Sequence, residues 1–337
     1  MSVLVIGDPH FKVNNTVDID EMTIQLMTII KEKKPDMVVV LGDILDRHEN
    51  IHMTPLIKAV HLLRQIQDLV PLYVIIGNHD RKNNKVYLNE EHPFTALKYW
   101  NNTTVVDTVK LVTFKNLKFT LVPYVAPGLF LEALNTVENW QDSVCIFCHQ
   151  EFKGAQMGAF TSVEGDDWHI NNPYIISGHI HDYQKIQNNI LYLGTPIQHS
   201  FGDSSNKKIA LIQFDQSIKH HDELRIEKIK LKLKLKRNIH LSPDEVDTYQ
   251  LDDSIQAKII ITGTLMETKL LMKNANIEKW RKQGIKVVFK NKASDIQLTQ
   301  HIANESFTSL LYDNIKHNVE LSTLYTELFG LPNLKLQ

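Results

Sequence analysis

Five short apolar runs in this chain each end in a cluster of side chains able to hold a metal, and that recurrence restricts the possible folds more than any other feature. The runs are Val3 to Ile6 before Gly7-Asp8, Met37 to Leu41 before Gly42-Asp43, Leu72 to Ile76 before Gly77-Asn78, Val144 to Phe147 before Cys148-His149, and Tyr174 to Ile176 before Ser177-Gly178-His179. Apolar runs of this length, closed by polar residues, read as strands buried on both faces. Helical patterns separate the early ones. Ile19, Met22, Leu26, Ile29 and Ile30 form one stripe, and Thr54-Pro55 opens a helix carrying Leu56, Val60, Leu63 and Ile66. Strands alternating with helices predict an α/β layered domain, whose ligands gather outside the carboxyl ends of the strands. All five polar clusters fall at that end, so the order of the sequence points to one shared site.

The residue types define the chemistry. Asp8-x-His10 sets two ligands at i and i+2, which a strand end would present on one face. Gly42-Asp43-Ile44-Leu45-Asp46 adds a carboxylate, whose two oxygens can bridge a pair of cations about 3.5 to 4 Å apart. Gly77-Asn78-His79-Asp80 adds an amide oxygen and an imidazole, and His149 with His179-x-His181 completes the set. Imidazole mixed with carboxylate and amide oxygen favours manganese, iron or zinc over calcium. Two such cations polarise a phosphoryl oxygen and lower the pKa of water, so the chemistry implied is phosphoester hydrolysis. One Asp-x-His or His-x-His pair alone is weak evidence; all five clusters in this order, each at a strand end, are strong evidence.

That ordered set resembles the calcineurin-like metallophosphoesterase superfamily over roughly residues 1 to 215. Within it, Tyr192-Leu193-Gly194-Thr195-Pro196 followed by Ser200-Phe201-Gly202-Asp203 resembles the SbcD-type recombination and double-strand-break repair nucleases, and the compact C-terminal region is most similar to their bacteriophage members. The resemblance implies a four-layer α/β/β/α sandwich, followed by a small α+β capping domain and C-terminal helices. The corresponding divisions are residues 1–237 for the nuclease domain, 238–294 for a DNA-binding cap and 295–337 for a helical partner-docking segment. It further implies two divalent cations, with manganese the expected metal. One would be held by Asp8, His10, Asp43 and His181, the other by Asp43, Asn78, His149 and His179. His79 matches the catalytic histidine that assists the leaving oxygen, and Asp46 is expected to orient that imidazole. The implied activity is a duplex-end exonuclease and an endonuclease dependent on an SbcC-type coiled-coil ATPase. A homodimer built on helices near Met53 to Leu69 and Pro93 to Trp100 is implied as well.

Beyond residue 186 the pattern changes to strands at Ile190 to Leu193, Lys208 to Phe214 and Leu224 to Leu235. A strand at Ala257 to Ile261, a helix from Thr264 to Gln283 and a strand at Ile285 to Phe289 predict the small α+β module. From Asp295 to Phe329 the pattern is helical, with Ile302, Leu310, Leu311, Leu324 and Leu328 on one side. At 337 residues the chain suits about two domains of ~150 residues.

A formal charge of −2 sets up no global field toward nucleic acid or membrane, so DNA must be met by a local patch. Lys228 to Arg237, six basic residues alternating with apolar ones, reads as a strand with one cationic face. It suits either a phosphate backbone or an edge guarded against aggregation. The only cysteines, Cys145 and Cys148, lie on a predicted buried strand and read as core thiols suited to a reducing compartment. His48 and His52 read as exposed loop residues. The N-terminal stretch lacks the basic n-region of a signal peptide and no run approaches the ~18 apolar residues of a membrane span, so a cytoplasmic location is expected, in a bacterium or a virus-infected host. The alternatives are a phosphodiesterase for small cyclic nucleotides, a phosphoprotein phosphatase, or an inactive DNA-end scaffold.

Overall fold

The computed structural model describes residues 1–215, 224–292, 311–312 and 314–329, divided into two compact units, Met1–Leu235 and Lys236–Gln337. The first unit opens with β1 (Ser2–Ile6), α1 (Thr16–Lys33), β2 (Met37–Val40), α2 (Met53–Gln67), β3 (Leu72–Ile75) and β4 (Thr103–Val106). It continues with β5 (Lys110–Phe114), β6 (Leu117–Val122), α3 (Phe130–Leu134), β7 (Cys145–Cys148) and a short hairpin of β8 (Gln156–Met157) and β9 (Phe160–Thr161). The remaining strands are β10 (Tyr174–Ser177), β11 (Gln184–Gln187), β12 (Ile190–Tyr192), β13 (Ile209–Gln213) and β14 (Arg225–Ile229).

Two six-stranded sheets result, ordered β14-β13-β1-β2-β3-β4 and β11-β12-β10-β7-β6-β5. Their centres are parallel; antiparallel strands finish both edges of the second sheet and the β13-β14 edge of the first, whose other edge, β4, is parallel. The period of two in a strand explains how one apolar run serves two layers. Leu4 and Ile6 pack with the helices α1 and α2, while Val3 and Val5 point into the space between the sheets, against Phe119, Leu121 and Phe147. On the far side, Ile146, Cys148 and Ile175 pack against Phe130, Trp140 and Trp168. This is the α/β/β/α layering expected, with a fourth layer made of one short helix and irregular chain rather than long helices.

The second unit begins with β15 (Leu235–Leu241), followed by β16 (Ile255–Gly263), α4 (Leu265–Leu271), α5 (Ala275–Lys282), β17 (Lys286–Asn291) and α6 (Val319–Phe329). Its sheet runs β15-β16-β17, with β16 and β17 parallel, over a core of Leu241, Ile259, Ile261, Ile277 and Trp280.

Several expectations are corrected. The single helix from Thr264 to Gln283 is two, because Asn274 accepts from the Asn276 and Ile277 amides and starts a new N-terminus. Lys228 to Arg237 is not one strand. Strand β14 stops at Ile229, and Leu231 is buried in the helix-side core; the Lys232 amide donates to Gln25 Oε1 at 2.7 Å, so this segment is tied to α1 by its backbone. Strands β4, β5 and β6 are not among the expected ones: β4 is only Thr103–Val106, half of it threonine, and in β5 and β6 exposed Leu111 and the lysines at 110 and 118 break the apolar run. Of the predicted C-terminal helical stretch, Ile302 and Leu310 lie outside the described residues. Among the described residues no helix is long and apolar enough to cross a membrane.

Candidate metal centre

Each predicted ligand stands just past the carboxyl end of a parallel strand, Asp8 and His10 after β1, Asp43 after β2, Asn78 after β3, His149 after β7, His179 and His181 after β10, and the predicted catalytic His79 follows Asn78. The sandwich brings the two sheets' strand ends together, so residues up to 171 positions apart meet. The backbone there is not extended. His10, Asp43 and His179 have φ of 41°, 46° and 79°, in the left-handed region that costs a non-glycine residue roughly 1–3 kcal/mol. Asp8 and His10 therefore do not converge through strand periodicity; the chain turns after Pro9, and the His10 amide donates to the Asp43 carbonyl at 3.0 Å. Gly42, at φ 107°, leaves room for the bundle of turns. A Cβ there would lie 2.6 Å from His149 Nδ1 and 2.9 Å from the Gly77 Cα.

The side chains form two groups, Asp8 with His10 and His181, and Asp43 with His149 and His179, the ligand atoms of each lying within 4.8 Å of one another. Asp43 lies between the groups, with Oδ2 3.3 Å from His149 Nε2, 3.7 Å from His10 Nε2 and 4.0 Å from His79 Nε2. His10 and His181 face each other Nε2 to Nε2 at 3.0 Å. Asn78 Oδ1 accepts at 3.0 Å from His149 Nε2 and at 3.1 Å from His179 Nδ1. The Leu41 carbonyl accepts from His149 Nδ1 at 2.8 Å, which fixes that ring with Nε2 inward. Glu151, 3.8 Å from His179 Nε2, backs the second imidazole in the way carboxylates orient metal-binding histidines.

The electrostatics fit a cation pair. Burial raises the Asp8 carboxyl, with His149 opposing and Asp43 adding to the rise. Burial would raise Asp43 too, but His149, His10 and His79 outweigh it and hold the carboxyl far below its usual range. For His149 burial disfavours the charge, yet Asp43 and Asp8 prevail and carry it up to about 9. That proton partly neutralises the two carboxylates, and cation binding would release it. Burial keeps His10, His179 and His181 below their ordinary value, hence neutral and ready to ligate. Asp8 Oδ1 is buried and has no hydrogen-bond partner. That oxygen lies 3.8 Å from His149 Nδ1 with no hydrogen bond to satisfy it, and a donor set of carboxylate, imidazole and amide oxygen suits two divalent cations.

His79 is placed by two bonds, its amide donating to Asp43 Oδ1 at 2.8 Å and its Nδ1 to the backbone oxygen of Asp46 at 2.7 Å. The Asp46 carboxylate does not orient that ring as expected. It pairs with Lys12 Nζ at 2.7 Å and lies 3.7 Å from His10 Nδ1. His48 is also corrected: rather than an open loop residue it is half-buried, stacked on His79 at 4.8 Å and 13°. His52 is exposed, and the two cysteines are buried and free.

Sequence reasoning passed over Asp80 and His199. Asp80 accepts from the amides of Ile44, Leu45 and Gly77 at 2.9 to 3.2 Å and so pins the second ligand loop to the third. His199 donates to the Asp8 carbonyl at 3.1 Å and packs its ring 5.0 Å from that of His10. Its signal was the position between Pro196 and Ser200, inside a segment already singled out.

A family model, calcineurin-like phosphoesterase, matches residues 1–210. The chain is 42% identical over 276 residues to phosphoesterase 244L of Invertebrate iridescent virus 6, covering 81% of this chain and 97% of that protein. It is 39% identical over 297 residues to phosphoesterase 078R of Invertebrate iridescent virus 3, covering 87% and 85%. Among solved structures, Yfce, a phosphoesterase from E. coli, aligns over 68% of this chain and 100% of its own, with 13% identity and a TM-score of 0.32.

Proposed function

The chain belongs to the calcineurin-like phosphoesterase family, and from that premise we propose that it is an SbcD-type DNA nuclease subunit. It would act on duplex ends as an exonuclease and, with an SbcC-type coiled-coil ATPase, as an endonuclease in recombination and double-strand-break repair. The observation that carries this reading is the loop after β12. Its Gly194-Thr195-Pro196 and Ser200-Phe201-Gly202-Asp203 segments, the part of the sequence similar to SbcD-type nucleases, flank His199, which bonds the Asp8 backbone. Asp203 holds that loop by accepting from the His199 and Ser200 amides at 2.7 and 3.0 Å. The second compact unit, with its own core, supports a large substrate.

One cation would be held by Asp8, His10, Asp43 and His181 and the other by Asp43, Asn78, His149 and His179, with manganese the proposed metal. When bound, such cations supply Lewis acidity toward the phosphoryl group and acidify water. The chain's own contribution is positional. The carbonyl of Asp46 can only accept, so His79 carries a proton on Nδ1 and turns Nε2 into the site, where a second proton, on Nε2, would pass to the leaving oxygen and leave the Nδ1 proton in place. Glu151, Leu41 and Asp80 hold the surrounding rings and loops.

The test is cleavage of end-labelled linear duplex DNA by the purified chain in manganese, against magnesium and chelator, with His79→Ala as control and a chromogenic phosphodiester in parallel. Degradation that needs manganese and His79 is expected. Hydrolysis of the chromogenic ester with DNA left intact would replace this reading with a small-substrate phosphodiesterase, and silence in both assays would leave a scaffold.

A further inference from the structure

Tyr183, two residues past His181, has two ammonium groups over its ring: Lys208 Nζ and Lys228 Nζ each lie 4.2 Å from the ring centroid. Lys208 is 8% exposed, just before β13; Lys228 is exposed on the edge strand β14. The pairing explains how they meet. Lys228 stands opposite Ala210, two residues along from Lys208, so both side chains leave the same face of the sheet. On the other side of β13, Val5 stands opposite Ala210; carried two residues further, that register brings Lys208 abreast of Gly7, the residue before Asp8. Both lysines therefore sit at the end of the sheet where the metal ligands gather. Two residues of chain span at most ~7 Å, which keeps Tyr183 close to His181. Lys207 Nζ ties the same segment down by donating to the His181 carbonyl at 2.7 Å.

Two ammoniums no more than about 8 Å apart lie within one Debye length and repel. Burial and the charge of Lys228 hold Lys208 below its ordinary range. An aromatic ring attracts a cation but does not neutralise it. Of the acids next in sequence to Lys228 and Tyr183, Glu227 is taken by Lys33 Nζ at 2.5 Å and Asp182 by Lys207 at 2.9 Å. Neither Lys208 nor Lys228 pairs with a carboxylate among the described residues. A pair of positive charges beside a phosphoesterase centre, with no carboxylate on either among the described residues, is the arrangement that receives an anion with several acceptor oxygens.

We infer that Lys208 and Lys228, held over Tyr183, form a second phosphate-binding site beside the metal centre, which takes a strand phosphate flanking the one being cut. The inference rests on the nuclease reading above. It assigns DNA contact to these two lysines rather than to the whole basic run, whose residues 230–234 lie outside the sheet.

The experiment measures binding of the full chain to a labelled duplex by fluorescence anisotropy, in chelator so that no strand is cut, across a salt series. Lys228→Glu is the main variant and Lys208→Gln the second; Lys230→Glu, equal in charge change, is the control. Lys228→Glu is expected to weaken binding about tenfold and to make the slope of log Kd against log salt shallower by about 1, with less than a threefold effect for the control. Because it replaces a repulsion with an attraction, it should melt no lower than the wild type. Equal weakening by Lys230→Glu, or unchanged binding in both site variants, would overturn the inference. If the wild type binds no DNA, the nuclease reading fails and inorganic phosphate decides the site. A rise in melting temperature with phosphate in the wild type but not in Lys228→Glu keeps the site with free phosphate as its ligand, and no rise in either overturns it.

Discussion

The imidazole of His79 is oriented by the backbone of Asp46, 2.7 Å from Nδ1, while the carboxylate of the same residue turns away to Lys12. A main-chain carbonyl is present whatever side chain stands at position 46. Its hold on the ring is set by the Gly42 to Asp46 turn, and Asp80 braces that turn from below.

Asp46→Asn should therefore keep hydrolysis of a chromogenic phosphodiester in manganese within about tenfold of the wild type. His79→Ala should cost at least ~100-fold, the lower range for losing a positioned general acid. Steady-state rates of the two variants side by side decide the matter, and an Asp46→Asn loss equal to that of His79→Ala would show that the carboxylate acts on the ring.

Metal stoichiometry should divide by position. Asp43, between His10 and His149, serves both groups, whereas His181 serves one. Elemental analysis after equilibration with manganese should show two ions in the wild type, about one in His181→Ala and fewer than one in Asp43→Ala. Removing the ions with chelator should lower the melting temperature of the wild type, because a ligand bound only by the folded state stabilises it.

Asp80→Ala should destabilise the chain by about 2 to 4 kcal/mol, since it strands three buried amide donors at once. Urea unfolding measures this. Manganese affinity should fall with it, because the amides that lose their acceptor belong to the loops carrying Asp43 and Asn78.

The pH dependence of stability has a marked group in Asp107, just after β4. Burial disfavours its charge, but His92 Nε2 at 3.1 Å and Lys98 Nζ at 2.5 Å outweigh burial and bring its pKa to about 2. A carboxyl depressed in the folded state stabilises at pH values above its unfolded pKa, near 4, and loses that contribution as pH falls toward 2. The wild type should exceed Asp107→Asn by about 2 kcal/mol at pH 6, and the gap should close between pH 4 and pH 2 in urea melts. A gap independent of pH would assign the effect to packing.

Much of the site was legible because its signals are local. Apolar runs ending in Gly-Asp, Gly-Asn and Gly-His state both the strand and the chemistry at its end, and a period of two lets Val3 and Leu4 serve different layers. Where the signal is mixed the reading fails: β5 carries Lys110 and an exposed Leu111 and β6 an exposed Lys118, the predicted helix after Thr264 gives way to a side-chain cap at Asn274, and alternating lysines imitate a strand that stops at Ile229.

The sequence by itself determined which residue types stand at the strand ends, because hydrophobic period and side-chain chemistry are properties of a few consecutive residues. Only the tertiary structure decided which atom of each residue faces the site. The meeting of Asp8 with His179, of Asp43 with His149, and of Lys208 with Lys228 over Tyr183 depends on how two sheets close on a shared core and how left-handed turns at His10, Asp43 and His179 aim the side chains beyond it. Those distances are set by packing between segments far apart in the chain, and spacing along the chain does not encode them.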